Sequence, residues 1–376
     1  MFNDKKIAVL GGGQLGRMLI QEALNWNADI SILDPDSNAP CKYLTAQFTC
    51  GPLTDFDTVM NFAKDADIVT IEIEHVNVDA LEALERNGKE VYPQPNILRM
   101  IQDKGSQKLF YREHGIPTAD FELIENKQQL AEHRNAYPFM MKLRKGGYDG
   151  KGVTPLRNEA DEKNAFDAPA VLEKFVDFEK ELSVIVARNK RGEVKSFPAV
   201  EMEFNKEANL VEFLFAPANI SREIEQDAER VARLVAEQLE IVGVLAVEMF
   251  LTKDGKILVN EIAPRPHNSG HHTIEANYTS QYEQHLRAIC NLPLGNTDII
   301  LPAVMINVLG EKNYEGVARY ERIDECLAIP GVYIHLYGKK ITKPFRKMGH
   351  VTIIDAKLSE AKAKARHVQQ TLKVIS

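Results

Sequence analysis

Residues 244–264, VLAVEMFLTKDGKILVNEIAP, constrain the chain more than any other stretch, because two apolar strands are joined there by Asp254-Gly255, a strong hairpin signal. Counting outward from a two-residue turn at that pair sets Glu248 directly opposite Glu261. Like charges facing each other on a sheet destabilise it. A bound cation reverses the argument, since magnesium takes one or two carboxylates together with nucleotide phosphates. The hairpin reads as a platform for magnesium and a nucleotide, and two solvated glutamates on an exposed face are the plainer alternative. The apolar neighbours Ala246, Phe250, Val259 and Ala263 speak against solvation.

A second stretch, FMMKLRKGGYDGKGV at 139–153, ends an apolar strand in Lys142 and runs into Gly146, Gly147, Gly150 and Gly152 with Lys145 and Lys151 among them. Dense glycines leave backbone amides to wrap phosphate oxygens, and lysines compensate the charge. The G-x-x-x-x-G-K-[ST] pattern of a P-loop is absent. An ammonium inside an apolar strand needs an anionic partner, so Lys142 demands one. Further on, AVLEKFVDFEKELSV (170–184) ends one strand at Glu173 and starts another at Glu181. It reads either as a hinge whose backbone could meet an adenine edge or as a charged connection. RPHNSGHHT offers His267, His271 and His272, but adjacent histidines cannot both face one ion from a strand, and no carboxylate spacing completes a metal site.

The chain begins with a strand, the turn Gly11-x-Gly13-x-x-Gly16 and a helix, with Asp34 closing the next strand, which are the features asked of a dinucleotide site. The physical content is narrower: amides at a helix N-terminus favour an anion, and glycine lets it approach. Phosphate of any small molecule would serve, and a tight turn without ligand is the alternative. Gln14 and Arg17 suit a phosphorylated metabolite.

Strands expected at 6–10, 29–33, 67–71 and 90–92 alternate with helices at 15–26, 55–64 and 79–87, which predicts a parallel sheet covered by helices. Pro93 and Pro95 break the chain before a helix at 104–114; strands then dominate 119–263, interrupted by an amphipathic helix at 221–240. A last segment has strands near 303–309, 331–337 and 350–354 and a helix at 358–373. The 376 residues should divide into two or three domains. A net charge of −8 argues against general nucleic-acid binding. Four scattered cysteines without a C-x-x-C pair indicate neither zinc nor a disulfide framework, and fit a reducing cytoplasm. With no apolar leader and no apolar run long enough to span a bilayer, neither targeting nor a membrane partner is expected.

GGGQLGRM (11–18), GGYDGKG (146–152), EKFV (173–176), NEIAPRPHNSGHHT (260–273) and Y-G-K-K-x-x-x-P-x-R-K-x-G-H (337–350) together resemble the ATP-grasp ligases. Within them the chain is similar to the 5-(carboxyamino)imidazole ribonucleotide synthetases of purine biosynthesis, over nearly its whole length. The resemblance implies a mixed α/β and α+β architecture: an N-terminal parallel α/β domain (1–102), a two-lobed central nucleotide domain (103–292) and a small C-terminal domain (293–376), in a homodimer. It implies that ATP meets Lys104, Lys142, Gly147, Tyr148, Asp149, Gly150, Lys151, Gly152, Val153, Glu173, Lys174, Phe175, Val176, Glu181, Asn260 and Glu261. Glu248 and Glu261 would hold Mg2+, and Arg265, His267 and Asn268 would meet bicarbonate and carboxyphosphate. The first glycine loop would then serve the ribonucleotide rather than a dinucleotide, through Gly13, Gln14, Leu15, Glu74 and Asp149. Lys339 and Arg346 would reach its 5′-phosphate, with Tyr337 and Lys339 sharing a face if 333–341 is a strand.

The implied activity is ATP-dependent carboxylation of 5-aminoimidazole ribonucleotide by bicarbonate. Another ATP-grasp ligase, such as a formate-dependent glycinamide ribonucleotide transformylase, would share the nucleotide parts and differ at 265–273 and 337–350. An NAD-dependent dehydrogenase would leave Glu248 opposite Glu261 unexplained. A non-catalytic nucleotide sensor would have no use for Arg265 and His267.

Overall fold

The computed structural model describes residues 5–147, 152–205, 207 and 210–376. Tyr148, Asp149, Gly150 and Lys151 therefore lie outside the described residues.

The N-terminal sheet is parallel, in the order Gln47–Cys50, Asp29–Asp34, Lys6–Leu10, Ile68–Ile71, Glu90–Tyr92. The apolar runs of its central strands are buried on both faces, as expected of strands covered by helices. The edge strand Gln47–Cys50 was not expected from sequence. It is short, mostly exposed and nearly without apolar alternation.

Residues 121–174 contain a small antiparallel sheet in the order Phe121–Ile124, Ala170–Lys174, Phe139–Leu143, Val153–Leu156. Phe175 to Asp177 then lead across to a longer antiparallel sheet. It runs Ile257–Ala263, Gly243–Thr252, Phe178–Arg188, Val200–Asn205, Leu210–Ala216, Ala303–Leu309, Lys347–Ile354, Val332–Leu336. The strands of the last segment thus extend the same sheet that carries the acidic hairpin, through the pairing of Leu210–Ala216 with Ala303–Leu309.

Strand alternation gives this sheet two different faces. Leu182, Val184, Val186, Leu245, Val247 and Met249 pack under the helix Arg222–Gln238, whose Ala228, Val231, Ala232 and Val235 form its buried stripe. Ser221 caps that helix, its hydroxyl accepting from the Ile224 N–H at 3.4 Å. On the opposite face lie Ile185, Ala187, Ala246 and Ala263, against Ala288 of the helix Gln281–Ile289. Glu248 and Glu261 belong to this second face.

The hairpin reaches that arrangement by an unexpected route. Its turn holds three residues, since the Thr252 N–H donates to Lys256 O at 2.9 Å and Gly255 takes a left-handed φ of 82°. Near the turn Leu251 pairs with Ile257 and Met249 with Val259, one residue out of the expected register. A bulge at Asn260 then restores it, so Glu248 does pair with Glu261 and Val247 with Ile262. Without the bulge Glu261 would share the face of Ile257 and Val259, which is the core under the long helix. Val259, read from sequence as a cleft neighbour of the carboxylates, is accordingly on the core side.

The strand expected near 331–337 is Val332–Leu336, and its conditional extension to 341 does not form. Gly338, at φ 75°, turns the chain, and pairing resumes only at Ile341–Thr342. Tyr337 is 1% exposed whereas Lys339 is half-buried, so the two do not share a strand face. Among the described residues no helix is long and apolar enough to cross a membrane.

Candidate active site

The first glycine loop already contains its anions. The Gly13 N–H donates to Glu72 Oε1 at 2.9 Å, the Gly16 N–H to Glu72 Oε2 at 3.4 Å and the Gly12 N–H to Asp34 Oδ2 at 2.6 Å. A Cβ on Gly11 or Gly13 would stand 2.4 or 2.7 Å from Glu72, so glycine is required by a carboxylate of the same chain. Burial pushes the Glu72 carboxyl up to about 7, opposed by the Gly13 amide and the Arg265 charge. The Gly13 N–H is thus taken by a side chain of its own chain. No amide is left among these three for a pyrophosphate, which removes the dinucleotide reading. Glu72 was missed because nothing in VTIEIEHV marks one glutamate as turned inward.

The lysine-rich part of the site is a connected network. Lys142 Nζ lies 2.9 Å from Glu173 Oε2 and donates to Asn260 Oδ1 at 3.0 Å. Glu173 also meets Lys108 at 3.2 Å, and Lys108, only 2% exposed, donates to Thr118 Oγ1 at 2.5 Å. Burial drives Lys108 down to about 8. For Glu173 burial pushes upward, but Lys142 and Lys108 outweigh it and hold the carboxyl below its ordinary range. The anionic partner that Lys142 requires is therefore internal. The Glu173 side chain is committed to two lysines, and the backbone of Glu173 and Lys174 is held in the small sheet, the Lys174 N–H donating to Asp120 O at 2.9 Å. Lys108 sits on the helix Lys104–Glu113, where a lysine among polar residues carries no sequence signal of burial.

Lys104, at the start of that helix, reaches Glu261 Oε2 at 3.1 Å. The Glu261 side chain is 53% exposed yet has protein on most sides. Burial raises it, but Lys104 and Lys142 win and keep it ionised below the usual carboxylate range. Glu248, facing it, is 20% exposed and pushed up to about 8 by burial, then by Glu261 and Glu181. Glu181 lies two residues along its strand from Ser183, the partner of Glu248, and burial lifts it to about 7. Of the three carboxylates on this face, burial raises the proton affinity of two, Glu248 and Glu181, toward neutral pH. Among the described residues no group of three His, Cys, Asp or Glu side chains forms a metal cage by itself. A pair of carboxylates lacking further protein ligands is what a hard cation shared with phosphates would use. Gly152 and Val153, from the second glycine loop, lie beside Leu143 and Lys142 through the Leu143 N–H to Gly152 O bond at 2.8 Å and the Lys142–Val153 pair. Gly147 is described; the rest of that loop's candidates are not.

The segment after the hairpin brings in the N-terminal domain. Arg265 pairs with Glu74 at 2.9 Å and donates from NH1 to Pro266 O at 3.0 Å, while its buried Nε has no hydrogen-bond partner. His267 Nδ1 accepts from the Ser269 N–H at 3.4 Å, lies 2.9 Å from Ser269 Oγ and stands 3.7 Å from Glu248 Oε1. Burial, then Arg265 and Lys347, lower its pKa to about 3, so the imidazole is neutral and carries its proton on Nε2. The Asn268 amide is paired with that of Asn307. His271 is buried against Gln281 and Tyr282, so it turns away from the carboxylates. Lys347, which bears electrostatically on both Glu248 and His267, was missed inside a basic run.

Gln14 and Leu15 open the helix Gln14–Leu24 beside Glu72. Lys339 donates to Lys347 O at 2.8 Å and Arg346 to Ile341 O at 2.6 Å, so both cations are held to their own hairpin, near Arg17 through Gly338. The two carboxylates, their lysines and Arg265 thus form one site.

A parallel domain, a small antiparallel lobe and a long sheet with paired carboxylates define an ATP-grasp enzyme. The chain matches the ATP-grasp domain family over residues 109–282, the ribonucleotide synthetase preATP-grasp domain over 4–102 and the phosphoribosylaminoimidazole carboxylase C-terminal domain over 303–364. It belongs to the N5-carboxyaminoimidazole ribonucleotide synthase family. The synthase of that name from Bacillus subtilis is 38% identical over 93% of this chain and 91% of its own. A chloroplastic phosphoribosylaminoimidazole carboxylase from Vigna aconitifolia is 40% identical over 94% of this chain, which spans 64% of the length of that relative. The crystal structure of N5-carboxyaminoimidazole synthase from Aspergillus clavatus, in complex with ADP and 5-aminoimidazole ribonucleotide, is 36% identical, with a TM-score of 0.90 over 98% of this chain and 99% of that one. The match at 303–364 falls on one of the two segments expected to separate this family from a formate-using transformylase, and it favours the former.

Proposed function

We propose that this chain carboxylates the exocyclic amine of 5-aminoimidazole ribonucleotide at the expense of ATP, with bicarbonate as the carbon source. The observation that carries the reading is the single face on which Glu248, Glu261, Lys104 and Lys142 stand beside Arg265, whose buried Nε lacks a partner. A buried donor left unmade is costly, and a planar carboxyl anion would satisfy it.

A bicarbonate oxygen attacks the γ-phosphorus of ATP and ADP leaves, giving carboxyphosphate. The amine nitrogen then attacks the carbonyl carbon; phosphate departs and takes up the amine proton. Lys104 and Lys142 bind the polyphosphate and offset its charge, the main requirement of phosphoryl transfer. Arg265 Nε and the neutral His267 Nε2–H donate to carboxyl oxygens, and Asn268 adds an amide. Glu248 and Glu261 fit a magnesium ion, which would neutralise phosphate charge during transfer. Gly13, Gln14, Leu15 and Glu74 would shape the ribonucleotide pocket, and Lys339 and Arg346 its phosphate end. Asp149 and the glycine loop 147–153 complete the reading from resemblance, as do a homodimer and, with four free cysteines, a cytoplasmic location.

The test is ADP release with bicarbonate and magnesium, with and without 5-aminoimidazole ribonucleotide. Release that depends on the ribonucleotide is expected. Release with formate and glycinamide ribonucleotide instead would overturn the reading.

A further inference from the structure

The orientation of the Asn268 amide is set by a residue far along the chain. Asn307, on the strand Ala303–Leu309 and 9% exposed, donates from Nδ2 to Val211 O at 2.8 Å. A carbonyl oxygen only accepts, so the atom facing it must be the amide nitrogen, and the rotation of Asn307 is fixed. Its Oδ1 is then turned to Asn268, accepting from Nδ2 at 2.9 Å, while its second N–H returns to Asn268 Oδ1 at 3.1 Å. Both donors of Asn307 are spent. Asn268 retains one N–H, and a half-turn of its amide would set N–H against N–H and oxygen against oxygen.

We propose that Asn307 is a positioning residue for the carboxylation step: it reads the backbone of Leu210–Ala216 and passes that polarity to Asn268, so that Asn268 presents a donor to the carboxyl oxygens. This rests on the reading of Asn268 given above. Sequence pattern hides the role, because Asn307 lies in the apolar run AVMINVL, where one polar residue signals only a satisfied core group.

The experiment compares Asn307→Ala, Asn268→Ala and the double variant in ribonucleotide-dependent ADP release, with ADP binding by calorimetry reporting the folded nucleotide site. Misorientation of one bound group can cost up to about a hundredfold, so Asn307→Ala should lower kcat roughly ten- to hundredfold with the KM for ATP unchanged. Because one residue acts through the other, the double variant should be no slower than Asn268→Ala. Should Asn307→Ala lose ADP binding, Asn307→Asp, which keeps the size and acceptor but removes both donors, replaces it with the same expectation. Wild-type kcat in the Asn307 variant, or losses that multiply in the double variant, would overturn the proposal. Wild-type kcat in Asn268→Ala would overturn the reading of Asn268 as well, which tells the two failures apart.

Discussion

Glu248→Gln should stabilise the ligand-free protein while disabling it. The Glu248 carboxyl rises from 4.5 to about 8 in the fold, so it binds its proton more tightly folded than unfolded. Stability from that proton is present below the unfolded value and is lost as pH climbs to about 8, above which the penalty is constant. At about 1.4 kcal/mol per pH unit the full penalty is on the order of 5 kcal/mol. Water reaching a side chain that is 20% exposed, and relaxation of the pair, should leave about 2 kcal/mol. A neutral glutamine of the same shape escapes the penalty. Thermal unfolding without nucleotide at pH 8 should therefore shift upward by roughly 2–3 °C, and at pH 5 by little, because the wild type is by then largely protonated. Turnover should fall by two decades or more, and ATP with magnesium should protect the variant less than the wild type. A lower midpoint at pH 8, or equal gains at both pH values, would refute the reasoning.

Lys108→Met removes one of two cations from the buried Glu173 and should lower stability by about 3–5 kcal/mol in denaturant unfolding, the range for breaking a buried pair. Gly13→Val drives a Cβ to 2.7 Å from Glu72 Oε1, so it should raise the KM for the ribonucleotide well above any change in that for ATP, by steady-state kinetics in both substrates. Lys339→Ala and Arg346→Ala should each weaken ribonucleotide binding by about one to two decades in calorimetry and leave ATP binding nearly unchanged, the cost of a lost charged contact to phosphate.

The alternating strands and helices of the first domain were legible because buried parallel strands are written as uninterrupted apolar runs, while the polar edge at Gln47–Cys50 and the short helix Pro95–Ile101 escaped. The Glu248–Glu261 pairing was legible too, although through two offsetting errors: an extra turn residue and a bulge at Asn260 that nothing in KILVNEIAP announces. What stayed hidden were inward-turned polar groups. Glu72, Lys108 and Asn307 each owe their roles to partners at least ten residues away, and residue type alone cannot tell a solvated lysine from one that is 2% exposed. The strand near 331–337 was legible, but its conditional extension to 341 fails at Gly338, which takes a left-handed φ of 75°.

The carboxylate seated in the first glycine loop changes what that motif can be made to do. Retrofitting the loop for a dinucleotide would take more than opening space, because an incoming pyrophosphate would meet Glu72 and Asp34 at contact distance. Each such pair of like charges costs about 4 kcal/mol at 4 Å in a protein-like dielectric. Redesign would have to delete both acids, and the vacated amides would then need a new anion to satisfy them. In a loop of this spacing the residue just past the fourth strand, here Glu72, decides whether the glycines form an open socket or a sealed one.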